Sequence, residues 1–288
     1  MKNKRVIITG GSGFLGKYIA EEALKRKFEV IVIDKFNSIN NKKIKFYKDD
    51  ISKPNKIKKL IKKNDIVYHF AAVSDIDEAN NDPERAFKIN TLSTIKLLEI
   101  CKHKKIKKLI FASSIYIHSD IGGIYRIAKK TSELLIEHYA KLYNLKFTII
   151  RFGSVYGPRQ NKKNNITNIV TNALKFKKFI YSGSKYSSRK FIYVTDVAKA
   201  SLDILSKKYD NKVILITGNK TTKIDTVFHI LKKYIKINNK PVYKNIKTNH
   251  YSQNPYSYKE MKEEKYILNK LIELDKGIKE VINYEKKK

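Results

Sequence analysis

Hydrophobic and polar positions follow two different periods along the first half of the chain. Short, continuous apolar runs predict buried strands, and longer stretches between them repeat apolar residues at helical spacing. The predicted strands are residues 5–9, 30–33, 45–47, 66–70, 108–112 and 147–151. The predicted helices between them are residues 16–26, 57–62, 86–102 and 128–143. Strands that alternate with helices in this way predict βαβ units and a parallel sheet.

The second half of the chain is less regular. Helices are predicted at residues 167–176 and 226–234, strands at 190–194 and 213–216, and a helical period returns over 260–281. The polar stretch at residues 158–165 has no periodicity and is a natural crossing point between two domains. The predicted fold class is therefore α/β, with a Rossmann-type doubly wound parallel sheet and a smaller C-terminal α/β part. The predicted domains are residues 1–160, to which some later segments return, and mainly 161–288.

A glycine-rich segment joins the first predicted strand to the first predicted helix. Gly10, Gly13 and Gly16 have the spacing of a tight turn, a close approach to a pyrophosphate and close packing of helix on sheet. The helix start at Phe14 and Leu15 offers free N–H groups and a positive dipole end to a phosphate. The pattern predicts a dinucleotide site, and the alternative is a glycine-rich turn without a ligand.

Asp34 ends the second predicted strand and lies 18 residues after Gly16. A carboxylate at this place accepts hydrogen bonds from both adenosine ribose hydroxyls and repels a 2′-phosphate, so it favours NAD over NADP. Lys35, next to it, would offset part of that repulsion. An ordinary strand-ending turn residue is the alternative for Asp34.

Tyr125 and Lys129 lie four residues apart, so on a helix both side chains project from one face. A free phenol has a pKa of about 10 and is a weak base at neutral pH. A neighbouring ammonium and an oxidised nicotinamide would both favour the phenolate, which could then take a proton from a sugar hydroxyl as hydride leaves the same carbon. The pair follows a predicted strand that ends at Ser113 and Ser114, and Ser114 is the favoured partner of the reacting hydroxyl.

Charge and cysteine content narrow the class of protein. The formal net charge is +35, which suggests nucleic-acid binding, but only seven of the 62 basic residues are arginine and the lysines are spread along the chain. Nucleic acid is therefore disfavoured as the main partner. Cys101 is the single cysteine, so no Cys metal cluster is predicted and a reducing cytoplasm is the expected location. No apolar run approaches the roughly 20 residues that span a bilayer.

Taken together, these segments resemble the extended short-chain dehydrogenase/reductases, and among them the NAD-dependent nucleotide-sugar epimerase/dehydratase family. The resemblance runs over nearly the whole chain, through residues 9–16, Asp34, Asp50-Ile51, His69-Phe70-Ala71-Ala72, residues 111–114, Tyr125, Lys129, residues 151–159 and residues 189–198. It implies that Asp50 and Ile51 meet the adenine and that Ala71 lines the cofactor. It also implies that Arg189 grips the substrate diphosphate, with a surface salt bridge as the alternative.

Two departures from the family pattern concern the substrate. Ser154 stands where many relatives carry an asparagine that contacts substrate, and the connection from Ser114 to Tyr125 is short. The sugar 4,6-dehydratases place an acidic pair just after the catalytic hydroxyl residue, whereas this chain has Ile115 and Tyr116 there. Dehydration is therefore disfavoured.

The expected function is NAD-dependent epimerisation of a nucleoside-diphosphate sugar, at C4, through a transient keto-sugar. Tyr125, Lys129 and Ser114 are the expected catalytic residues, and Ser114, Ser154 and Arg189 the expected substrate contacts. The resemblance also implies a homodimer and a role in polysaccharide biosynthesis. The alternatives are a nucleotide-sugar reductase or dehydrogenase with net redox chemistry and, in another class, a non-catalytic RNA-binding protein on the same fold.

Overall fold

The computed structural model describes residues 4–119, 122–160, 165–237, 239–244 and 263–288. The strands are β1 Arg5–Thr9, β2 Glu29–Asp34, β3 Lys45–Lys48, β4 Ile66–His69, β5 Lys108–Ser114, β6 Phe147–Phe152, β7 Ser154–Tyr156, β8 Ile180–Tyr181, β9 Ser188–Arg189, β10 Phe191–Tyr193, β11 Lys212–Ile216, β12 Thr222–Lys223, β13 Val242–Tyr243 and β14 Glu264–Lys265. The α-helices are α1 Phe14–Lys25, α2 Asn55–Leu60, α3 Ile76–Asn81, α4 Pro83–Phe87, α5 Ser93–Lys104, α6 Gly123–Tyr143, α7 Asn165–Phe176, α8 Val194–Asp203, α9 Ile224–Tyr234 and α10 Leu274–Lys286.

A mostly parallel sheet of eight strands organises the chain, in the order β14-β11-β6-β5-β4-β1-β2-β3. The strand order reverses between β1 and β4, because β2 and β3 lie on one side of β1 and β4 to β6 on the other. In open α/β sheets, ligands bind at the carboxyl ends of the strands beside such a reversal. The sheet confirms the predicted α/β, Rossmann-type fold class.

The inner strands of this sheet are apolar on both faces, as expected where helices cover both faces. Ile7, Val67, Leu109 and Ile149, from four neighbouring strands, have no exposed surface and belong to one apolar cluster. Burying a side chain of this size contributes about 1.5–3 kcal/mol, so this cluster is the main source of stability here. The apolar runs from which these strands are predicted consist largely of the residues that form this cluster.

The chain divides into two compact units. Unit 1 comprises Met1–Phe152, Ala198–Leu215 and Lys262–Lys265, and unit 2 comprises Gly153–Val197, Ile216–Met261 and Tyr266–Lys288. Unit 2 has its own apolar cluster, in which residues of α7, α9 and α10 pack together with the rings of β7 and β8. Each unit therefore has an interior of its own, as expected for a domain.

A wide helical turn interrupts the predicted helix over residues 86–102. Residues Lys88–Leu92 form a π-helix between α4 and α5. Within it, the amide of Asn90 accepts from the backbone N–H of Val73 at 2.8 Å and donates to the Val73 carbonyl at 3.0 Å. These two bonds fasten the segment that follows β4.

The helix predicted over residues 260–281 is wrong in its first part. Residues 260–262 lie outside the described residues, Glu264–Lys265 form the edge strand β14, and the helix begins only at Leu274. The backbone N–H of Ile272 donates to the carboxylate of Asp196 at 2.7 Å. In a longer helix, the N–H of Ile272 would instead donate to a backbone carbonyl of the same helix. Across the described ranges, no helix is long and apolar enough to cross a membrane.

Candidate functional site

The glycine turn after β1 is shaped by backbone contacts that leave no room for side chains. Gly10 has φ +69°, and a Cβ atom placed on it would lie 2.5 Å from the backbone nitrogen of Ala71. A Cβ atom on Gly16 would lie 2.5 Å from the Gly10 carbonyl oxygen. The turn thus brings Gly10, Gly16 and Ala71 into direct backbone proximity, as the predicted close approach of helix to sheet requires.

The first turn of α1 has the chemistry of an anion site. Gly13 occupies the N-cap position in an extended conformation and has no side chain to accept hydrogen bonds from the N–H groups that follow. The N–H groups at Phe14 and Leu15 therefore carry the positive end of the helix dipole without a capping carboxylate or hydroxyl from the N-cap residue. The first turn contains no acidic residue that would repel a phosphate.

Asp34 is fixed at the end of β2 by two backbone donors. Its Oδ2 accepts from the N–H of Ser12 at 3.0 Å, and its Oδ1 accepts from the N–H of Lys35 at 2.7 Å. A carboxylate has about four acceptor sites, so two remain for a pair of ribose hydroxyls. The Nζ of Lys35 lies 3.0 Å from the Asp50 carboxylate, and this pairing weakens its attraction for a 2′-phosphate. The residues present therefore fit NAD.

An open cavity of about 620 Å³ adjoins this strand end. Its lining is mainly charged and consists of Lys35, Phe36, Lys48, Asp49, Asp50, Lys56 and Arg85. Phe36 is 77% exposed, and Ile51, after Asp50, is buried. An exposed aromatic ring and a carboxylate beside Asp34 suit a planar base that has an amino group.

The predicted catalytic residues lie together at the carboxyl end of β5. This strand ends at Ser114, and α6 carries Tyr125 and Lys129 on consecutive turns. The phenol of Tyr125 is hydrogen-bonded to the side chain of Ser114. The Nζ of Lys129 lies 5.9 Å from the centre of the Tyr125 ring and donates to the carbonyl of Ala112 at 2.7 Å. A phenol, a hydroxyl and an amine therefore meet at one strand end.

Burial sets the proton affinities at this strand end. It raises the pKa of Tyr125 to about 12, against the lowering effect of the Ser114 hydrogen bond. It lowers the pKa of Lys129 to about 8, against the raising effect of Glu133. From the spacing, Lys129 is expected to lower the pKa of the phenol. In the structure, removal of the phenol from water raises that pKa, and the lowering influence comes from the Ser114 hydrogen bond.

The two serines at the end of β5 have different surroundings. Ser114 accepts a hydrogen bond from the backbone N–H of Tyr116 at 3.2 Å and contacts the Tyr125 phenol. The Oγ atom of Ser113 is buried and has no hydrogen-bond partner among the described residues. A buried hydroxyl without a partner costs free energy, so a strand end that keeps one is suited to a polar ligand.

His69, at the end of β4, is held by two hydroxyl groups. Its Nδ1 lies 2.9 Å from the Oγ1 of Thr9, and its Nε2 lies 3.0 Å from the Oγ1 of Thr94. Burial, together with the nearby Lys129 ammonium, lowers the pKa of His69 to about 3. The ring is therefore neutral at physiological pH and serves as a structural link between β1, β4 and α5.

His69 predicts a loss of stability in mild acid. Its pKa is about 3 in the folded protein and about 6.5 in an unfolded chain, so the unfolded state binds more protons between these values. The stabilisation contributed by the neutral His69 ring is fully present above about pH 6.5 and is lost as the pH falls towards 3. We expect the free energy of unfolding to decrease by about 2 kcal/mol from pH 7 to pH 5 through this residue. Urea titrations at both pH values should show a smaller decrease for His69→Gln; an equal decrease would contradict the assignment.

The predicted substrate residues Ser154 and Arg189 both belong to unit 2. Ser154 begins β7, where its Cα pairs with that of Phe191 in β10. Arg189 ends β9, is 1% exposed, and donates from Nη1 to the carbonyl of Ser188 at 2.8 Å. The guanidinium is thus deeply buried, which differs from the surface salt bridge that was the alternative.

Two further charged residues, outside the predicted site, form an ion pair between α6 and β6. Glu133 follows Lys129 by four residues on α6 and pairs with Arg151 of β6 at 2.6 Å. The spacing from Lys129 is the signal that could have found Glu133. Its partner Arg151 lies on β6, further along the chain, so no local sequence pattern connects the two residues. The described part of the chain contains no group of His, Cys, Asp and Glu side chains that could hold a metal ion.

Known proteins resemble the chain in both sequence and structure. The model of the NAD dependent epimerase/dehydratase family matches residues 6–217. A putative UDP-glucose 4-epimerase of Methanocaldococcus jannaschii is 29% identical in an alignment of 303 positions that covers 98% of each chain. A dTDP-D-glucose 4,6-dehydratase of Dictyostelium discoideum is 30% identical over 244 residues, or 71% of this chain and 56% of that protein. The crystal structure of a UDP-glucose 4-epimerase of Thermotoga maritima with UDP-glucose superimposes with a TM-score of 0.83 at 25% identity, covering 98% of this chain and 99% of that one.

These matches agree with the site. The family match begins in β1, includes the glycine turn, Asp34 and the Tyr125–Lys129 pair, and ends just past β11. It covers well over half of the chain and confirms the resemblance that the sequence carries. The chain therefore belongs to the NAD-dependent epimerase/dehydratase family and is an enzyme that uses NAD.

Proposed function

We propose that the enzyme is a nucleotide-sugar epimerase that inverts C4 of a nucleoside-diphosphate sugar. The observation that carries this proposal is the meeting of the Tyr125 phenol, the Ser114 hydroxyl and the Lys129 amine at the end of β5. Inversion of a carbinol carbon needs a group that removes a hydroxyl proton and later returns one, and a positioned phenol can do both.

Each of the three side chains has a distinct task in this proposal. Bound NAD supplies a hydride acceptor that becomes a hydride donor when the sugar has been oxidised. Tyr125 takes the proton of the sugar hydroxyl and gives it back, and Ser114 holds that hydroxyl by a hydrogen bond. Because burial raises the pKa of Tyr125 to about 12, proton removal relies on positive charge at the site, which Lys129 supplies.

The residues after Ser114 favour epimerisation over dehydration. Elimination of water from the sugar requires an acid and a base beside the keto-sugar. Ile115 is buried and cannot exchange a proton, and Tyr116 offers a phenol in place of a carboxylate. The segment therefore lacks the acidic pair found in the sugar 4,6-dehydratases.

We also propose ligand contacts for each unit, taken by itself. The glycine turn, Asp34 and Asp50 of unit 1 would hold the dinucleotide, and Ser154 and Arg189 of unit 2 would contact the substrate. A guanidinium binds a diphosphate by two parallel hydrogen bonds, which makes Arg189 the strongest anion ligand of this pair. The UDP-glucose bound to the Thermotoga enzyme supports a nucleoside diphosphate as the carrier.

A substrate screen tests the reaction. The enzyme would be incubated with catalytic NAD and a panel of UDP-, GDP-, CDP- and dTDP-sugars, and the products analysed by mass spectrometry and NMR. An epimerase gives a product of unchanged mass, inverted at C4, with no lasting absorbance change at about 340 nm. Stoichiometric NADH formation or consumption would instead show net redox chemistry, and loss of water would show a dehydratase. Either result would overturn the proposal, as would a panel returned unchanged.

A homodimer is part of the proposal, and α6 offers the surface for it. Ile127, Leu134 and Leu142 are 49%, 58% and 58% exposed and recur at spacings of seven and eight residues, which places them along one face of the helix. Exposed apolar side chains that recur along one helix face mark a contact surface. A second copy of the same helix would cover this face by a two-fold interface.

The Leu134→Lys substitution tests this surface. A buried ammonium without a partner opposes association, so we expect sedimentation to show a monomer where the parent protein is a dimer. Phe176→Lys, at a 52% exposed position of α7, is the control that should leave the mass unchanged. A parent protein that sediments as a monomer would refute the dimer.

A further inference from the structure

Arg151, at the end of β6, is the centre of a cluster of four charged or ionisable side chains. Its Nε and Nη2 donate to the two carboxylate oxygens of Glu133, at 3.1 and 2.6 Å. Its Nη1 lies 3.0 Å from Oε2 of Glu263 and 3.0 Å from Nε2 of His118. The same His118 nitrogen lies 3.0 Å from Oε1 of Glu263. The arginine thus makes a two-pronged pair with one acid while the second acid bridges it to the histidine.

The cluster is shielded from water. The side chain of Glu263 has no exposed surface, and those of Glu133, Arg151 and His118 are 5%, 11% and 21% exposed. An unpaired charge in such a place is strongly unfavourable, so each member depends on the others. The hydrogen bond from His118 and the charge of Arg151 hold the pKa of Glu263 below its usual value although burial, the largest single influence, raises it.

Three members of the cluster are attached to the segments that carry the proposed catalytic side chains. Glu133 lies one helical turn after Lys129 on α6. Arg151 pairs in register with Ser113 of β5, the neighbour of Ser114. His118 ends the 3₁₀-helix Ile115–His118, which has Ser114 as its N-cap residue and precedes Tyr125 in the chain. Only Glu263 comes from elsewhere, 112 residues beyond Arg151.

We propose that His118 and Glu263 are positioning residues, which fix the 3₁₀-helix between Ser114 and Tyr125 by completing the ion cluster around Arg151. The inference rests on the proposed function, because it assigns the fixed segment to catalysis. The His118 ring ties the end of the short helix to β6, and the Glu263 carboxylate locks ring and guanidinium together. Without the Glu263 carboxylate, the Ser114 hydroxyl and the Tyr125 phenol would still be present, but they would no longer be held at a fixed distance and orientation to each other.

Glu263→Gln is the test, because it keeps the shape of the side chain and removes its charge. A misplacement of reacting groups by a fraction of an ångström lowers kcat more than KM, and we expect kcat to fall about tenfold with KM nearly unchanged. Amide hydrogen exchange of the Ile115–His118 helix should become faster in the same variant. Glu264→Gln is the matched control: this neighbour is exposed and pairs with Lys212 at 2.6 Å on the surface, so kcat and exchange should stay at their parent values.

A second pair of variants separates positioning from general stability. His118→Gln retains a side-chain amide that can bond Glu263, and it should preserve more of kcat than His118→Leu. A uniform loss of melting temperature, with parent kcat and parent exchange of the short helix in Glu263→Gln and His118→Leu, would overturn the proposal. If the parent enzyme converts no nucleotide sugar, the proposed function fails, and hydrogen exchange alone still decides whether the cluster fixes this segment.

Discussion

Tyr125→Phe is expected to lower kcat about a thousandfold and to leave NAD binding unchanged, since a positioned acid–base group contributes about 10²–10⁴ in rate. The substitution removes only the phenolic oxygen. The ring remains in an apolar cluster with Val73, Ile76 and Ala79, so the fold should persist. Turnover would be followed by NMR on the sugar identified in the screen, and NAD binding by calorimetry.

The control for this experiment lies on the same helix. Tyr139→Phe also removes a phenolic oxygen from α6, one that donates to Glu99 at 2.7 Å. It should leave kcat near the parent value. A Tyr125→Phe enzyme that keeps more than about a tenth of the parent rate would show that another group moves the proton.

Gly10→Ala is expected to cost about 3 kcal/mol in the free energy of unfolding and to abolish NAD binding. The position has φ +69°, which an alanine adopts only with strain, and its Cβ would lie 2.5–2.7 Å from backbone atoms of Phe70 and Ala71. These backbone atoms directly follow β4 and cannot rotate away as a side chain can. Relief would therefore require β1 and β4 to shift where the dinucleotide turn is formed.

Gly13→Ala provides the comparison for stability. Its φ is −71°, and the nearest atom to an added Cβ is the Gly10 carbonyl oxygen at 3.1 Å. We expect a loss of about 1 kcal/mol or less from this change. Urea denaturation of the two variants measures the difference. Equal midpoints would contradict the strain assigned to Gly10.

The fold was largely predictable because its dominant interactions are recorded locally. The continuous apolar runs of β1, β2, β4, β5 and β6 reflect a sheet covered on both faces. The spacing of the glycines after β1 marks the turn, although the atoms that exclude a Cβ at Gly10 belong to Phe70 and Ala71, far along the chain. The helix predicted over residues 260–281 failed because periodicity cannot detect that a backbone donor is taken by Asp196, 76 residues away.

The candidate site was predictable to the extent that its geometry follows from topology. Parallel strands end at one edge of a sheet, so Ser114, Tyr125 and Lys129 could be expected to meet there. The proton affinity of Tyr125 could not be predicted, because spacing reports neighbours along a helix and not the loss of water around them. Glu263 was equally invisible, since its partners lie more than a hundred residues earlier.

The π-turn between α4 and α5 is a place where the chain can be shortened by one residue without rotating the helix that follows. Five residues span a turn that an ordinary α-helix closes with fewer, so the segment Lys88–Leu92 holds one position in surplus. Removing one residue there could restore an ordinary turn without rotating α5. The same deletion inside α5 would swing every later side chain by about 100° about the axis. The extra position places the Asn90 amide where it makes two hydrogen bonds with the backbone of Val73. A chain shortened there would keep helix α5 and lose these two hydrogen bonds.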